Sequence, residues 1–248
     1  MTVSVAERHL AGGGFIDWLR PVAERHPEWW TIGLAGMAWM FLIAHELSGA
    51  SVNAFCPPRG GWFALDWTSC GYFIAMTAAM MLPLTVIAVR RTAIGSLWHR
   101  RHRAIIGFIV GYLGTWTIVT GIGVALAGLL AGWSWAPVVG FAVAAAWEAS
   151  LLKRVRLSVC HATLPLRPRG WRADWDCVRY GMLQGRACAT SCWAIMLTPL
   201  LVGAWQLPIM AFATFLCGFG RYWPRRRQHL EMVALTAAAL GYAALILA

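Results

Sequence analysis

Recurring apolar runs, each about as long as a bilayer is thick, constrain the fold of this chain more than any other feature. Each run of about 20 apolar residues can cross the ~30 Å hydrocarbon core of a membrane as one helix. Charged residues make up only 12% of the chain, about half their share in soluble domains. Seven spans are predicted, at 29–47, 70–89, 104–131, 133–152, 182–202, 205–219 and 230–248. The sequence therefore predicts an all-α fold, a polytopic transmembrane helix bundle of about seven spans that forms a single domain from 29 to 248.

Positive charges lie on alternate sides of these predicted spans. The formal net charge is +11, and the basic residues cluster at 90–103, 153–179 and 221–227, whereas the intervening loops hold only Arg59. This alternation follows the positive-inside rule, so we expect the N-terminus inside and the C-terminus outside. Contact with anionic lipids accounts for the basic loops. The expected partner is thus the lipid bilayer and not nucleic acid, and the expected location is the bacterial cytoplasmic (inner) membrane, crossed several times.

The first 28 residues have a different character from the rest of the chain. They lack the continuous apolar core of a cleaved signal peptide. Phe15, Trp18, Leu19 and Val22 follow the spacing of one helix face, which favours a short helix lying on the membrane surface. Residues 1–28 are therefore predicted to form a cytoplasmic amphipathic segment.

Two groups of sulfur-containing residues lie within predicted spans. The first is Met76, Met80 and Met81 in span two, and the second is Cys188, Cys192 and Met196 in span five. Side chains four residues apart stack on one helix face, and thiolates with thioethers suit Cu(I) best and Zn(II) next. If spans two and five are neighbours, their sulfurs could meet near the bilayer midplane. The alternative is that these residues simply pack, as Met and Cys often do in apolar helices.

The other cysteines divide by compartment. Cys56 and Cys70 fall on the predicted outer side, where they could form a disulfide or remain two free thiols. Cys160 and His161 lie in the long basic loop that also holds Cys177. These three soft ligands are one fewer than a structural zinc site usually has, so both a metal site and a purely structural loop stay open.

Three ionisable residues lie within the predicted spans or at their ends. His45 and Glu46 are near the outer end of span one, and Glu148 is near the inner end of span four. Charged groups in a membrane are costly and often functional. Glu148 precedes Lys153 by five residues, so an ion pair with the basic loop is favoured over a proton relay.

The order of several motifs resembles a bacterial family of predicted metal-binding integral membrane proteins of unassigned function. The motifs are MTAAMMLP (76–83), GYLGTW (111–116), LKRVRLSVCHATLPL (152–166), RGWRADW (169–175) and YGMLQGRACATSCWAIML (180–197). The resemblance extends from about residue 70 to 220. It implies a multi-span membrane protein with metal ligands at Met76, Met80, Met81, Cys160, His161, Cys188 and Cys192.

This chain departs from the family pattern at two places. The family's C-x-G-C-C-W is Cys188-Ala189-Thr190-Ser191-Cys192-Trp193 here, so one Cys and one Gly are absent. Near the end of span six, many relatives carry an acidic residue, whereas this chain reads Gly218-Phe219-Gly220-Arg221. If that acid is essential to the family's activity, the activity is altered or lost in this chain.

Two functions remain open. The protein binds or handles a soft metal ion, with copper as first choice and zinc as second, or it is a non-catalytic accessory subunit that packs against a larger membrane enzyme. Lys153, the only lysine, lies in a basic loop, so a retinal Schiff base has no attachment point in span seven. Nucleotide-binding and hydrolase motifs are absent from the sequence, so an enzymatic function is less expected than metal handling.

Overall fold

The computed structural model describes residues 26–48, 67–130, 132–153, 164–165, 167, 169–202, 205–222 and 228–247. Throughout these ranges the regular secondary structure is helical, which confirms the predicted all-α fold. The α-helices are α1 Trp29–Leu47, α2 Trp67–Met81, α3 Val86–Gly95, α4 Arg101–Leu129, α5 Ala136–Ala149, α6 Trp171–Leu197, α7 Gln206–Tyr222 and α8 Gln228–Leu247. Most of the predicted N-terminal segment 1–28, together with Cys56, Cys160 and His161, lies outside the described residues.

Three helical stretches are long and apolar enough to cross a membrane. They are Trp29–Leu47, Gly71–Gly95 and Trp98–Leu129. The apolar helices Ala136–Ala149, Gln206–Phe219 and Glu231–Leu247 are shorter. Three apolar helices of this length are compatible with membrane association, and the seven-span arrangement with its orientation remains a prediction.

The second predicted span is broken at Pro83. Proline lacks the N–H that an α-helix interior needs, and here α2 ends at Met81 while a 3₁₀ turn covers Leu82–Thr85. Helix α3 then continues from Val86. The helix break at Pro83 therefore comes directly after the methionine run.

Helix α6 is the least apolar long helix and lies at the centre of the bundle. It begins at Trp171, well before the predicted start of span five at 182, and its first turns carry Arg172, Asp174, Asp176 and Arg179. More than half of its residues are buried, among them Gln184 and Ser191. The helix packs most extensively on α4 and also contacts α5 and α7. Neighbouring helices therefore surround Gln184 and Ser191, whereas Arg172 and Arg179 in the first turns are exposed.

Two glycines allow α4 and α6 to approach until their backbones touch. A Cβ on Gly111 of α4 would collide with the carbonyl oxygen of Val178 on α6. Reciprocally, a Cβ on Gly181 of α6 would collide with the carbonyl oxygen of Phe108 on α4. Small residues at such crossings are typical of helix packing in membranes, and here they fix the position of α6.

Helix α7 connects the two sulfur-bearing helices. The principal neighbours of α2 are α1, α4 and α7, and those of α6 are α4, α5 and α7. Span two and span five, whose direct contact was hypothesised, thus share α4 and α7 as common neighbours. Helix α8 packs along α5 on the other side of the bundle.

Candidate functional site

The thiols of Cys188 and Cys192 lie one turn apart on the buried face of α6. Cys188 is 0% exposed and Cys192 is 7% exposed. Their four-residue spacing stacks them on one helix face, and the two thiols lie close enough to interact electrostatically. The predicted α6 pair is therefore buried in the bundle, and both thiols are free.

A third buried thiol, that of Cys217 on α7, lies close enough to Cys192 to interact with it electrostatically. Cys217 was not among the predicted site residues. The sequence does carry a signal for it, because Cys192 and Cys217 lie on the two helices that the short α6–α7 connection joins. In an antiparallel hairpin such residues meet across the helix pair. We call Cys188, Cys192 and Cys217 the thiol cluster.

Two cationic side chains flank the thiol cluster at different ends. The guanidinium Nη1 of Arg221 donates a hydrogen bond to Cys188 Sγ at 3.7 Å. The ammonium of Lys153 lies close enough to Cys192 and Cys217 to interact electrostatically with both. Neighbouring cations favour the thiolate over the thiol, and the thiolate is the form that binds metal.

Hydrogen bonds fix the backbone and the hydroxyl beside Cys192. Ser191 Oγ donates to the Cys188 carbonyl oxygen at 3.0 Å and lies 3.4 Å from Cys192 Sγ. Since the hydroxyl proton is used on the carbonyl, Ser191 can accept from the Cys192 thiol. Trp147 Nε1 of α5 donates to the Ser191 carbonyl oxygen at 3.1 Å. These bonds tie the thiol-bearing turn of α6 to α5.

Lys153 is held by two buried carboxylates. Its Nζ pairs with Glu148 Oε2 and, at 3.3 Å, with Glu231 Oε2 of α8. The ion pair predicted for Glu148 is thus present, with a second acid that the sequence analysis did not identify. Glu148 and Glu231 are 1% and 4% exposed, and the Oε1 atom of each has no hydrogen-bond partner among the described residues. Removing Lys153 would leave both charges uncompensated.

The methionines predicted as ligands are all buried in the same core as the thiol cluster. These are Met76, Met80 and Met81 at the end of α2, and Met196 one turn beyond Cys192. Gln206 Nε2 of α7 donates to the Met76 sulfur at 3.6 Å. The structure thus joins Met76 to α7, the helix that also carries Cys217.

Other predicted residues lie away from the thiol cluster. His45 is at the end of α1, where its ring centroid is 5.0 Å from that of Tyr72 and its Nδ1 has no partner in the described residues. Glu46 is next to it and is partly exposed. Cys70 is in α2, but its side chain is outside the described part of the structure. Within the described ranges, no three His, Cys, Asp or Glu side chains are arranged to hold a metal ion together.

A polar end of the bundle lies about three to four turns before Cys188 along α6. Arg100 Nη2 is 2.5 Å from Asp174 Oδ1, and Arg103 Nη2 is 3.1 Å from Asp174 Oδ2. Burial raises the pKa of the Cys177 thiol, and the nearby Asp174 carboxylate raises it further. Cys177 is therefore a buried thiol on the same helix, in acidic surroundings that disfavour its thiolate.

Comparison with known proteins identifies a family for this chain. Residues 70–244 match the PpoB2 family, whose description is copper chaperone. No curated protein matches the chain, and no solved structure does. The matched range is more than half of the 248 residues, and the chain therefore belongs to this family. All the helices of the site, α2 and α4 to α7, fall within or largely within the match.

Proposed function

We propose that this member of the copper chaperone family binds Cu(I) inside the membrane at the thiol cluster, with the methionines of the same buried core as further soft donors. The observation that carries the proposal is the Cys192 thiol, buried on α6 near two other thiols and beside the Lys153 ammonium. A chaperone needs a site that is selective and still able to release its ion. Thiolates and thioethers select Cu(I) over harder ions, and low coordination leaves room for an incoming ligand.

Copper fits this donor set better than zinc does. A structural zinc ion usually has four ligands in tetrahedral geometry. The described residues offer no three-residue His, Cys, Asp or Glu centre, whereas Cu(I) is stable between two thiolates. Met76, Met80, Met81 and Met196 supply additional soft sulfur in the same core. Cys160 and His161, which lie outside the described residues, are proposed as a separate soft-ligand position in the basic loop.

The surroundings of the cluster support an intramembrane site. Cys188, Cys192 and Cys217 are packed among apolar side chains, and a bare thiolate there would be disfavoured by desolvation. Lys153 and Arg221 offset that cost at either end of the cluster. We propose that copper binds within a multi-span bundle, and the alternation of basic loops supports an N-terminus inside and a C-terminus outside. A C-terminal phosphatase fusion should then be active only in the outer compartment, and activity of a cytoplasmic reporter at that end would contradict this orientation.

Copper content of the purified protein tests the binding proposal. Full-length protein in mild detergent, loaded with Cu(I) and washed, should retain copper that the Cys192→Ser variant loses. Serine is close to cysteine in size, so the fold should persist, and Cys177→Ser is the matched control because Cys177 is buried on the same helix. Met80→Leu should weaken binding less than Cys192→Ser, since a thioether binds more weakly than a thiolate.

Two results would contradict the proposal. Equal copper retention by wild type and Cys192→Ser would place the site elsewhere. Retention of no copper by wild type would leave the sulfur residues as packing groups and favour the accessory-subunit function.

A further inference from the structure

We propose that the thiol cluster provides two overlapping copper positions that share Cys192, and that Cu(I) passes between them. The first position pairs Cys192 with Cys188 on α6, and the second pairs Cys192 with Cys217 on α7. This inference rests on the proposed copper-binding function. It assigns Cys217 to the site and gives the chaperone a route for moving its ion.

The contacts within the cluster support pairs over a three-coordinate centre. The Cys192 thiol lies near that of Cys188 on the buried face of α6 and near that of Cys217 on α7, which packs against α6. Within the described ranges, however, no three Cys, His, Asp or Glu groups are arranged to hold one metal ion. Two-coordinate Cu(I) needs only two sulfurs at a time. Cys192 is the thiol that both pairs share, because it interacts with Cys188 and with Cys217.

Each position has its own polar surroundings. Arg221 donates to Cys188 Sγ at 3.7 Å, and the buried hydroxyl of Tyr112 on α4 lies beside the same thiol. That hydroxyl makes no hydrogen bond within the described part of the chain, so it can donate to a Cys188 thiolate. At the second position Lys153 interacts with Cys192 and Cys217. Both end thiols thus have a charged or polar partner that stabilises the bound, deprotonated form.

The transfer between positions is a ligand exchange without oxidation or reduction. Cu(I) begins between the Cys188 and Cys192 sulfurs while Cys217 is a thiol. The Cys217 sulfur then forms a bond to copper and releases its proton, and the bond from Cys188 to copper breaks. Cys188 takes up one proton and becomes a thiol. One sulfur–copper bond forms and one breaks, and the charge of the cluster does not change.

Copper stoichiometry and sulfur coordination test the two positions. The probe is Cu(I) itself, added to full-length protein in mild detergent, with bound copper measured by elemental analysis and its sulfur ligands by X-ray absorption. Cys188→Ser and Cys217→Ser should each keep one copper with two sulfur ligands, because one pair survives in each variant. Bound copper should be lost in Cys192→Ser and in the double variant Cys188→Ser/Cys217→Ser. Cys177→Ser should bind as much copper as the wild-type protein does.

Transfer of copper to a chromophoric Cu(I) chelator tests the passage between positions. Both single variants should deliver copper more slowly than wild type and Cys177→Ser, since each has lost the exchange step. A wild-type rate in either single variant would overturn the passage. If copper in the wild-type protein is bound by three sulfurs, the pairwise arrangement is overturned. If Cys188→Ser loses all of its copper and Cys217→Ser loses none, Cys217 is a packing residue.

Chemical bridging of the wild-type protein makes the test independent of variant folding. A short bifunctional thiol reagent should join Cys192 to Cys188 in some molecules and to Cys217 in others, and bound Cu(I) should block both products. Absence of the Cys192–Cys217 product from the copper-free protein would overturn the inference. Failure of wild type to bind copper, with both bridged products present, would instead refute the proposed function.

Discussion

Replacing Gly111 by alanine should separate α4 from α6 and destabilise the protein. The added Cβ would meet the backbone of Val178 and Met182, which cannot rotate away as a side chain can. Overpacking of this kind typically costs about 1–3 kcal/mol. Alanine is favoured over glycine inside a helix by about 1 kcal/mol, which partly hides the cost. A control variant that gains the same helix propensity from alanine, but in which the new Cβ meets no neighbour, isolates the cost of overpacking.

Gly114→Ala is that control. Gly114 lies one turn further along α4, and a Cβ there would meet nothing within 4 Å. The propensity gain cancels in the comparison, so Gly111→Ala should be less stable than Gly114→Ala by about 1–3 kcal/mol. Gly181→Ala, which adds its Cβ at the same crossing from α6, should behave like Gly111→Ala. The double variant should cost less than the sum, because one helix separation relieves both clashes.

Reversible denaturation in mixed detergent, followed by circular dichroism, measures these differences. Alkylation of Cys192 provides a second readout, since a displaced α6 should expose the thiol cluster to reagent. Equal stability of Gly111→Ala and Gly114→Ala would refute the close backbone crossing. Alkylation as slow in Gly111→Ala as in wild type would refute its role in positioning α6.

Three further outcomes are expected. Lys153→Met should destabilise the fold by about 3–5 kcal/mol, since its two carboxylate partners would stay buried without a cation, whereas Lys153→Arg should cost much less in the same denaturation assay. Asp174→Asn should lower the pKa of Cys177, because the Asp174 carboxylate helps to raise it. Alkylation of Cys177 should then be faster in this variant at a given pH. An unchanged alkylation rate would argue against the electrostatic effect of Asp174. Asp174 is partly exposed, so its loss should cost only about 1 kcal/mol or less. Cys56 and Cys70 should be joined by a disulfide worth about 2–4 kcal/mol, and mass spectrometry that finds both alkylated in native membranes would reject it.

Local sequence features predicted most of the helices. Apolar runs correctly predicted the bounds of α1 and the approximate bounds of α4, α5, α7 and α8. Burial in lipid or in the protein core requires continuous apolar sequence. The break after α2 also has a local cause, because Pro83 lacks the N–H that the interior of an α-helix needs. The start of α6 was missed since residues 171–181 are polar, and hydropathy cannot detect a helix that is stabilised by its neighbours.

Contacts between helices were harder to predict than the helices themselves. The methionine run and the cysteine pair were identified from spacing, but which helices meet depends on close crossings such as that at Gly111 and Gly181. The positions of these glycines in the sequence do not indicate which helix each of them packs against. For the same reason Cys217 and Glu231, each contributed by another helix, were not assigned to the surroundings of Cys192.

Charge balance explains why the site lies on the least apolar helix. Among the described residues, Lys153 pairs with Glu148 and Glu231, and Arg221 lies beside Cys188. Cu(I) bound between two thiolates adds one negative charge to this region, where an uncompensated buried charge costs several kcal/mol. Relatives that carry an acid near Arg221 would add another negative charge beside Cys188. In this chain the guanidinium, 3.7 Å from that sulfur, favours the thiolate instead, so the departure from the family pattern strengthens the Cys188 end of the site as a position for a cation-binding thiolate.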